Sequence, residues 1–281
     1  MYLEKVAIDY LRNVNLAKIF KKYFVLENAN KVISIKGDSN EFLEHREYYY
    51  SDDLKNVNWK LFARTEKLFS KVFSTEISKK VFILLDTSKS MMVGRKIPKI
   101  EYSKYLVSIV AYKLLSEGYK VVFATFHSDI NNLVALSIRN FDKFDSVLLN
   151  IKCVGKTDFV NVISNLPNFV ELDSNILMVS DLIFISSKEI SMFRELFPKK
   201  DIVFFQVLSD EELSLLEEDF VEVVDPETLD KKLIIAKKAK KDYVPKMSFF
   251  IERIFSHASS NRISMVTFST SVPYYVVLKD I

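Results

Sequence analysis

The sequence predicts an α/β protein built on a doubly wound, mostly parallel sheet, with an accessory N-terminal layer and a C-terminal α/β extension. Short runs rich in Val, Ile and Phe alternate with longer stretches of helical spacing between residues 81 and 208, which is typical of repeated β-α-β units. The short runs are apolar at nearly every position, as in strands buried on both faces of a parallel sheet. We therefore divide the chain into an accessory region (1–78), a core domain (79–210) and an extension packed on the core (211–281).

The predicted core consists of four buried strands and the helices between them. The strands are predicted at 81–85, 120–126, 176–179 and 202–207. From Tyr102 to Leu114, apolar residues repeat at the spacing of an amphipathic helix, which Gly118 can end. Further helices are predicted at about 141–151, 158–166 and 188–197.

The flanking regions have less regular patterns. Before residue 80 we predict a helical start through Phe24, an extended segment at 32–35 and a short helix around Trp59. After Leu208 we predict a strand at 221–224, a helical segment that Pro245 breaks or kinks, and a last strand at 263–268.

Composition and charge exclude several classes of function. The 281 residues carry 40 Lys and Arg against 37 Asp and Glu, so the chain lacks the broad positive field of a nucleic-acid-binding protein. Cys153 is the single cysteine, which excludes an intramolecular disulfide and a thiolate metal cage. The N-terminus lacks a signal-peptide pattern, and no apolar run approaches the ~20 residues of a membrane span. We expect a cytoplasmic protein with no membrane span and no nucleic-acid partner.

Polar residues cluster where the predicted strands end. The D-x-S-x-S motif Asp86-Thr87-Ser88-Lys89-Ser90 directly follows the first buried strand. Thr157, in the segment Gly155-Lys156-Thr157-Asp158, precedes a helix, and Asp181 follows the strand at 176–179. Because ligands bind at the carboxyl ends of the strands in open α/β sheets, we expect these three loops to converge on one point.

The chemistry of these side chains predicts a metal site. Two carboxylates and three hydroxyls form an all-oxygen set, which favours Mg²⁺ or Mn²⁺ over zinc or copper. Neutral hydroxyls leave the ion with surplus positive charge, so it can accept a carboxylate from a partner protein. Taken singly, Ser88, Ser90 and Thr157 could instead be helix N-caps; their joint occurrence favours the metal. We expect a binding protein that is not an enzyme, in which Asp86→Ala leaves the fold intact because the ligand loop faces solvent.

This arrangement resembles the metal-ion-dependent adhesion site of von Willebrand A domains in strand order, helix placement and all three loops. The resemblance implies a von Willebrand A, or Rossmann-like, core. It also implies metal-ligand roles, some of them through water, for Asp86, Ser88, Ser90, Thr157 and Asp181.

A second signature precedes the core. Its residues are Arg46, Tyr48, Asp52, Asp53, Trp59 and Arg64. They resemble the R-x-Y, D-D, D-W and A-R pattern of the bacterial domain of unknown function 58, and Asp225-Pro226-Glu227-Thr228 resembles that family's D-P-E-T segment. Ser51, Lys55 and Asn58 depart from the Gly, Arg and Asp that are usual there.

The resemblance to this family implies a partner. Its members join the signature to a von Willebrand A-like module and are typically linked to MoxR-type AAA+ ATPases. We therefore expect an adaptor whose metal binds a carboxylate of such an ATPase or of its client, during assembly or maturation of that client. The signature is either a structural ion-pair cluster or a docking surface for the ATPase.

Two enzymatic functions are alternatives to binding. A metal-dependent hydrolase would use Asp86 and Asp181 with His127, which follows a strand, as its acid or base. An aspartic protease would need paired carboxylates, from a second D-T-G or D-T-S copy or from a dimer. It is excluded because no second copy appears and because the strands alternate with helices, whereas that fold is β-rich. No phosphate-binding glycine motif is present either, so the chain is not expected to bind nucleotides.

Overall fold

The structure, a computed structural model, describes residues 41–48, 57–74, 80–171, 174–214, 220–224 and 231–279. The chain is divided into two compact units, a smaller one of Leu26–Ser78 and a larger one that includes Lys79–Ile281. The predicted helical start, the extended segment at 32–35, Asp52, Asp53 and the D-P-E-T segment lie outside the described residues.

The smaller unit contains a two-stranded sheet and the predicted short helix. β1 (Glu41–Glu47) pairs antiparallel with β2 (Phe69–Ser74), and α1 (Trp59–Thr65) lies between them in sequence. Asn58 begins the helix, because its side chain accepts a hydrogen bond from the Leu61 amide at 3.1 Å.

The larger unit contains the remaining described elements. Its strands are β3 (Lys80–Asp86), β4 (Lys120–Phe126), β5 (Ile130–Leu136), β6 (Ser174–Ser180), β7 (Ile202–Leu208), β8 (Phe220–Val224), β9 (Lys231–Ile235) and β10 (Ser264–Ser269). Its helices are α2 (Lys99–Ser116), α3 (Phe141–Asn150), α4 (Phe159–Asn165), α5 (Ser187–Leu196), α6 (Asp210–Ser214), α7 (Ala236–Ser260) and α8 (Tyr274–Lys279).

Six of these strands form one sheet in the order β10-β7-β6-β3-β4-β5, and β8 pairs with β9 in a separate antiparallel sheet. In the six-stranded sheet, every neighbouring pair is parallel except β4 and β5. Successive residues of β3 point to opposite faces, so Val81, Ile83 and Leu85 enter one hydrophobic core, while Phe82 and Leu84 enter another. Helices α2, α3 and α8 cover the first face, and α4, α5 and α7 cover the second. The predicted doubly wound, mostly parallel sheet is thus confirmed.

Several elements differ from the sequence prediction. β5 was not predicted, because it is an edge strand with only one end buried and carries Asn131 and Asn132 in its first half. α7 continues through Pro245, so the proline does not end the helix. The last strand, β10, pairs with β7 and thereby belongs to the central sheet. Among the described helices, none combines the length and apolarity needed to cross a membrane.

Candidate metal centre

The three predicted ligand loops lie where the winding of the sheet reverses. β3 is hydrogen-bonded to both β4 and β6, and the chain leaves β3 for α2 on one face and β6 for α5 on the other. Such a point opens a crevice beyond the carboxyl ends of the two strands. Asp86 is the last residue of β3, and Asp181 comes directly after β6.

The Asp86 carboxylate is the centre of this site. Asp86 has no exposed surface. Its Oδ1 accepts a hydrogen bond from the Ser88 amide at 2.8 Å, and its Oδ2 accepts one from the Ser180 hydroxyl at 2.7 Å. The Thr157 hydroxyl lies 3.4 Å from Oδ1 and 3.3 Å from Oδ2. The structure therefore joins the loops after β3 and before α4 to the end of β6, and adds Ser180, which the sequence reasoning did not single out.

The two serines of the motif lie beside this carboxylate. Their hydroxyl oxygens are 3.0 Å apart, and both residues are buried. Neither Ser88 nor Thr157 caps a helix with its side chain, because Ser88 makes no such bond and Asp158 caps α4 instead. The capping alternative is therefore wrong for these two hydroxyls.

Backbone hydrogen bonds fix the loops against one another. The Thr87 amide donates to the Phe126 carbonyl at 2.7 Å, and the Lys89 amide donates to the Gly155 carbonyl at 3.1 Å. Gly155 has a φ of 66°, in the left-handed region that favours glycine. The motif loop is thus held between the end of β4 and the loop that carries Thr157.

Asp181 is engaged in a different way. Its Oδ1 accepts from the Ile183 amide at 3.1 Å, and its Oδ2 accepts from the Lys99 ammonium at 2.8 Å. Its backbone carbonyl accepts from Gln206 at 3.1 Å, and Gln206 accepts in turn from Thr267 on β10 at 3.1 Å. Asp181 thus lies at the site with its carboxylate already bound to a cation of the protein.

Lys99 is the residue of this site that the sequence reasoning missed. It is the first residue of α2 and has no exposed surface. Besides Asp181, its Nζ contacts Glu212 of α6 at 2.5 Å. Burial works to lower the pKa of Lys99, but the charges and hydrogen bonds of Asp181 and Glu212 outweigh burial and raise the pKa. A partial signal existed, because Lys99 shares a helix face with the apolar residues Leu106 and Val110.

Electrostatics distinguish the two carboxylates. Burial, and next the charge of Asp181, raise the pKa of Asp86 to about 6. Hydrogen bonds from Ser88 and Ser180 oppose this shift. Among the described residues, no basic side chain pairs with Asp86 as Lys99 pairs with Asp181, and a cation beside Asp86 would favour its ionised form.

The donor set fits a small, hard cation at Asp86. Carboxylate and hydroxyl oxygens are ligands that Mg²⁺ and Mn²⁺ accept. Among the described residues, no group of three or more His, Cys, Asp and Glu side chains is placed to hold an ion, so the hydroxyls of Ser88, Ser90 and Thr157 would have to complete the shell. The expectation of a solvent-facing loop is wrong: Asp86 and Ser88 are 0% exposed, so Asp86→Ala would leave a cavity and unpaired donors.

His127 lies close to the loop of Gly155 but hydrogen-bonds within its own turn. Its Nδ1 lies 2.8 Å from the Ser128 hydroxyl and accepts from the Ser128 amide. Within the described part of the chain, the hydrogen bonds of His127 reach Ser128, Asp129 and Asp158 but neither Asp86 nor Asp181. The structure therefore provides no described link between this histidine and the two carboxylates.

The signature residues of the smaller unit are only partly described. Arg46 pairs with Ser70 across the two strands of its sheet. The Tyr48 amide donates to the Leu68 carbonyl at 3.0 Å. Trp59 is 58% exposed and meets the Phe62 ring edge-on. Arg64 is exposed in the last turn of α1.

Known proteins match the chain in sequence and in fold. The family model described as "Protein of unknown function DUF58" matches residues 44–246. BatB from Bacteroides thetaiotaomicron is 15% identical, with a TM-score of 0.44, and the match covers 72% of this chain and 95% of that one. The SpRpn10 VWA domain is 16% identical, with a TM-score of 0.43 and coverages of 72% and 95%.

An aerotolerance-related membrane protein from Bacteroides fragilis NCTC 9343, carrying multiple mutations to serine, is 14% identical with a TM-score of 0.42. Its match covers 72% of this chain and 96% of that one. No curated protein matches the chain significantly. The family match spans Asp86, Thr157 and Asp181 as well as Lys99 and Glu212.

Proposed function

The chain belongs to the family of proteins of unknown function DUF58, and we propose that it is a protein-interaction module that binds a carboxylate of its partner through Mg²⁺ or Mn²⁺ held at Asp86. The resemblance to this family that its sequence motifs carry is confirmed by the match over residues 44–246. The metal, the partner and the absence of catalysis are parts of the proposal.

One observation carries the proposal: the hydroxyls of Thr157, in the loop before α4, and of Ser180, at the end of β6, turn toward the buried carboxylate of Asp86. The Ser180 oxygen also accepts a hydrogen bond from the Leu182 amide at 3.1 Å, but its proton is donated to the Asp86 carboxylate. A hydroxyl that merely capped a helix would bond to backbone amides alone. Asp86, Ser88, Ser90 and Thr157 would hold the ion, and Asp181 would act on it through water. When bound, the ion would supply positive charge that these mostly neutral ligands do not cancel.

Binding without catalysis is what these side chains favour. A hydrolase would need an acid or base within hydrogen-bonding reach of a reacting group. The ring of His127 is instead engaged with Ser128 in its own turn, so no described observation favours the hydrolase. We therefore propose that the protein is not an enzyme.

Exposed apolar side chains on the same three loops support a protein partner. We define the apolar rim as Met92, Val154 and Phe184, one from each loop. Their exposed fractions are 60%, 47% and 50%, respectively. Exposed apolar groups around a polar centre are typical of protein-binding surfaces. A partner would thus bury the rim while its carboxylate reaches the ion.

A MoxR-type AAA+ ATPase, or a client of that ATPase, is the partner we propose. This choice rests on the family resemblance, since members of the family are typically linked to such ATPases. The adaptor would act in the cytoplasm, where the single cysteine, Cys153, would stay reduced.

The test uses substitutions that separate the ion from the rim. Asp86→Asn removes the central charge while nearly keeping the shape of the side chain. We expect it to abolish Mn²⁺ binding in isothermal titration and to abolish capture of a purified MoxR-type ATPase. Phe184→Glu should keep Mn²⁺ binding but weaken capture by roughly tenfold or more.

Leu149→Glu is the matched control, because Leu149 is 63% exposed on α3, outside the three ligand loops. It should change neither measurement. Capture of the ATPase that persists in EDTA, or that Asp86→Asn leaves unchanged, would contradict the proposed function.

A further inference from the structure

The inference concerns the side chain that shares Asp181 with the site. We define the Lys99 clamp as Lys99, Asp181 and Glu212. Lys99 and Asp181 are fully or almost fully buried, and the Glu212 side chain is 14% exposed. A buried ammonium must be paired to be tolerated, and the clamp provides two carboxylates for one cation.

The position of Lys99 makes those carboxylates necessary. Lys99 is the first residue of α2, where the amides of the first turn carry partial positive charge. A positive side chain is unfavourable at the N-terminus of a helix, so the helix itself does not explain the lysine at this position. The contacts with Asp181 at 2.8 Å and Glu212 at 2.5 Å do explain it.

In the Lys99 clamp, the ammonium of Lys99 binds the carboxylate of Asp181, which the metal would also attract. Oδ2 of Asp181 accepts from Lys99, and Oδ1 accepts from the Ile183 amide. The full positive charge of Lys99 beside this carboxylate reduces its attraction for a second cation. By contrast, the hydrogen bonds to Asp86 come from hydroxyls and one amide, which carry no net charge.

Glu212 ties Lys99 to a separate element of the fold. One carboxylate oxygen of Glu212 contacts Lys99, and the other accepts from the Ser209 amide at 2.9 Å. The Ser209 hydroxyl accepts in turn from the Glu212 amide at 3.3 Å. These reciprocal bonds form a capping box at the start of α6, so the position of Lys99 depends on that helix cap.

We infer that Lys99 is a built-in competitor of the divalent cation, and that its pairing with Asp181 and Glu212 sets the metal affinity of the site. This inference rests on the proposed metal site. If Lys99 is removed, the negative charge of Asp181 becomes available to the ion. If Glu212 is neutralised, Lys99 keeps its charge with Asp181 as its one remaining carboxylate, and the site becomes more positive.

The test measures Mn²⁺ affinity by isothermal titration, with thermal melts in EDTA and in Mn²⁺ as a second readout. Lys99→Met should bind Mn²⁺ roughly tenfold or more tightly than wild type, because a full positive charge is removed beside the ion. Glu212→Gln should bind more weakly than wild type. Mn²⁺ should also raise the melting temperature of Lys99→Met more than that of wild type, since a ligand stabilises the state that it binds.

Two further variants control for charge and for folding. Lys104→Met removes a buried lysine of the same helix whose ammonium pairs with Glu101 at 2.8 Å, and it should change the affinity by less than about twofold. The double variant Lys99→Met with Glu212→Gln removes the cation without leaving Glu212 as a buried, unpaired anion. It allows the measurement if the single variant does not fold, and it should also bind more tightly than wild type.

The outcomes separate this inference from the proposed function. If wild type binds Mn²⁺ and both variants that lack Lys99 bind it no more tightly, the competitor role is wrong and the metal site stands. The same conclusion follows if Lys104→Met tightens binding as much as Lys99→Met does. If neither wild type nor any variant binds Mn²⁺, the metal site itself is wrong, and the competitor role is wrong with it. Tighter binding that Asp86→Asn abolishes in the Lys99→Met background supports both.

Discussion

Two cationic side chains lie at opposite ends of the strands of the central sheet and are stabilised in different ways. At the carboxyl edge, Lys99 is fully buried between the carboxylates of Asp181 and Glu212. At the amino edge, the Arg194 guanidinium is half-buried and donates five hydrogen bonds, at 2.6 to 3.3 Å, to backbone carbonyls. Three of these carbonyls precede β7 and two precede β10.

The difference indicates that Arg194 has a structural role, whereas a divalent cation could take over the carboxylates that Lys99 binds. The carbonyl groups that accept from Arg194 belong to the backbone, so their positions are fixed by the fold. They are arranged to accept from the planar guanidinium group. The carboxylates at Lys99 carry full charges that another cation can also satisfy. The pKa values follow this division, because burial lowers the pKa of Arg194, while the two carboxylates raise that of Lys99 against the effect of burial. We therefore expect the two cations to respond differently to substitution and to metal.

The largest loss of stability is expected for Lys99→Met in chelator. The substitution leaves two carboxylates without their cation in a buried place, and the loss of one partner of a buried pair typically costs about 3 kcal/mol or more. Urea unfolding in EDTA measures this free energy. The double variant with Glu212→Gln should recover part of the loss, because one of the unpaired anions is then neutral. A single variant as stable as wild type would show that the clamp contributes nothing to stability.

A smaller loss, of about 2 kcal/mol, is expected for Arg194→Met. The five accepting carbonyls lose a charged donor, but most are partly exposed, so water replaces some of the hydrogen bonds. Arg194→Lys is the matched control and should recover only part, since an ammonium cannot reproduce the geometry of the fork. Mn²⁺ should raise the urea midpoints of Arg194→Met and of wild type by the same amount, so the difference between the two proteins should be equal in Mn²⁺ and in EDTA. A selective rescue by Mn²⁺ would remove the distinction between the two cations.

Much of the sheet could be predicted from the sequence, because each buried strand is a continuous apolar run with a helix after it. The strand at 120–126 has the predicted bounds, and Asp86 lies at the end of its strand as expected. β5 could not be predicted in the same way, because an exposed edge strand needs few apolar residues. Its pairing with β4 depends instead on a turn at Ser128 and Asp129, which joins two strands antiparallel.

The site was only half predictable for a related reason. The D-x-S-x-S motif, Thr157 and Asp181 are recognisable as oxygen donors at strand ends, and the structure connects Asp86 with Ser88 and Thr157. Lys99 was not predicted as a site residue, because a lysine is ordinarily expected at the protein surface. Its burial depends on Glu212, which is 113 residues further along the chain. Only the fold brings that carboxylate to the ammonium, so the helix face of Lys99 could indicate its burial but no local pattern could predict its partner.

The smallest expected effect concerns charge near Arg194, and it has the opposite sign to the losses above. Burial raises the pKa of Asp201 to about 6, although Arg194 works to lower it. The folded protein therefore holds this proton more tightly than the unfolded chain, whose Asp titrates near 3.9. Because the unfolded state binds fewer protons between about pH 4 and pH 6, stability falls as pH rises through that window and stays lower above it.

Asp201→Asn removes the ionisable group and should stabilise the protein at pH 7 by about 1 kcal/mol, a value reduced for the screening of a partly exposed group by solvent. At pH 4 the variant should be no more stable than wild type. Urea unfolding at the two pH values measures both differences. If Asp201→Asn instead destabilises the protein at pH 7, the charge of Asp201 helps to hold Arg194. Arg194 would then be stabilised by a carboxylate as well as by carbonyl groups, as Lys99 is by Asp181 and Glu212.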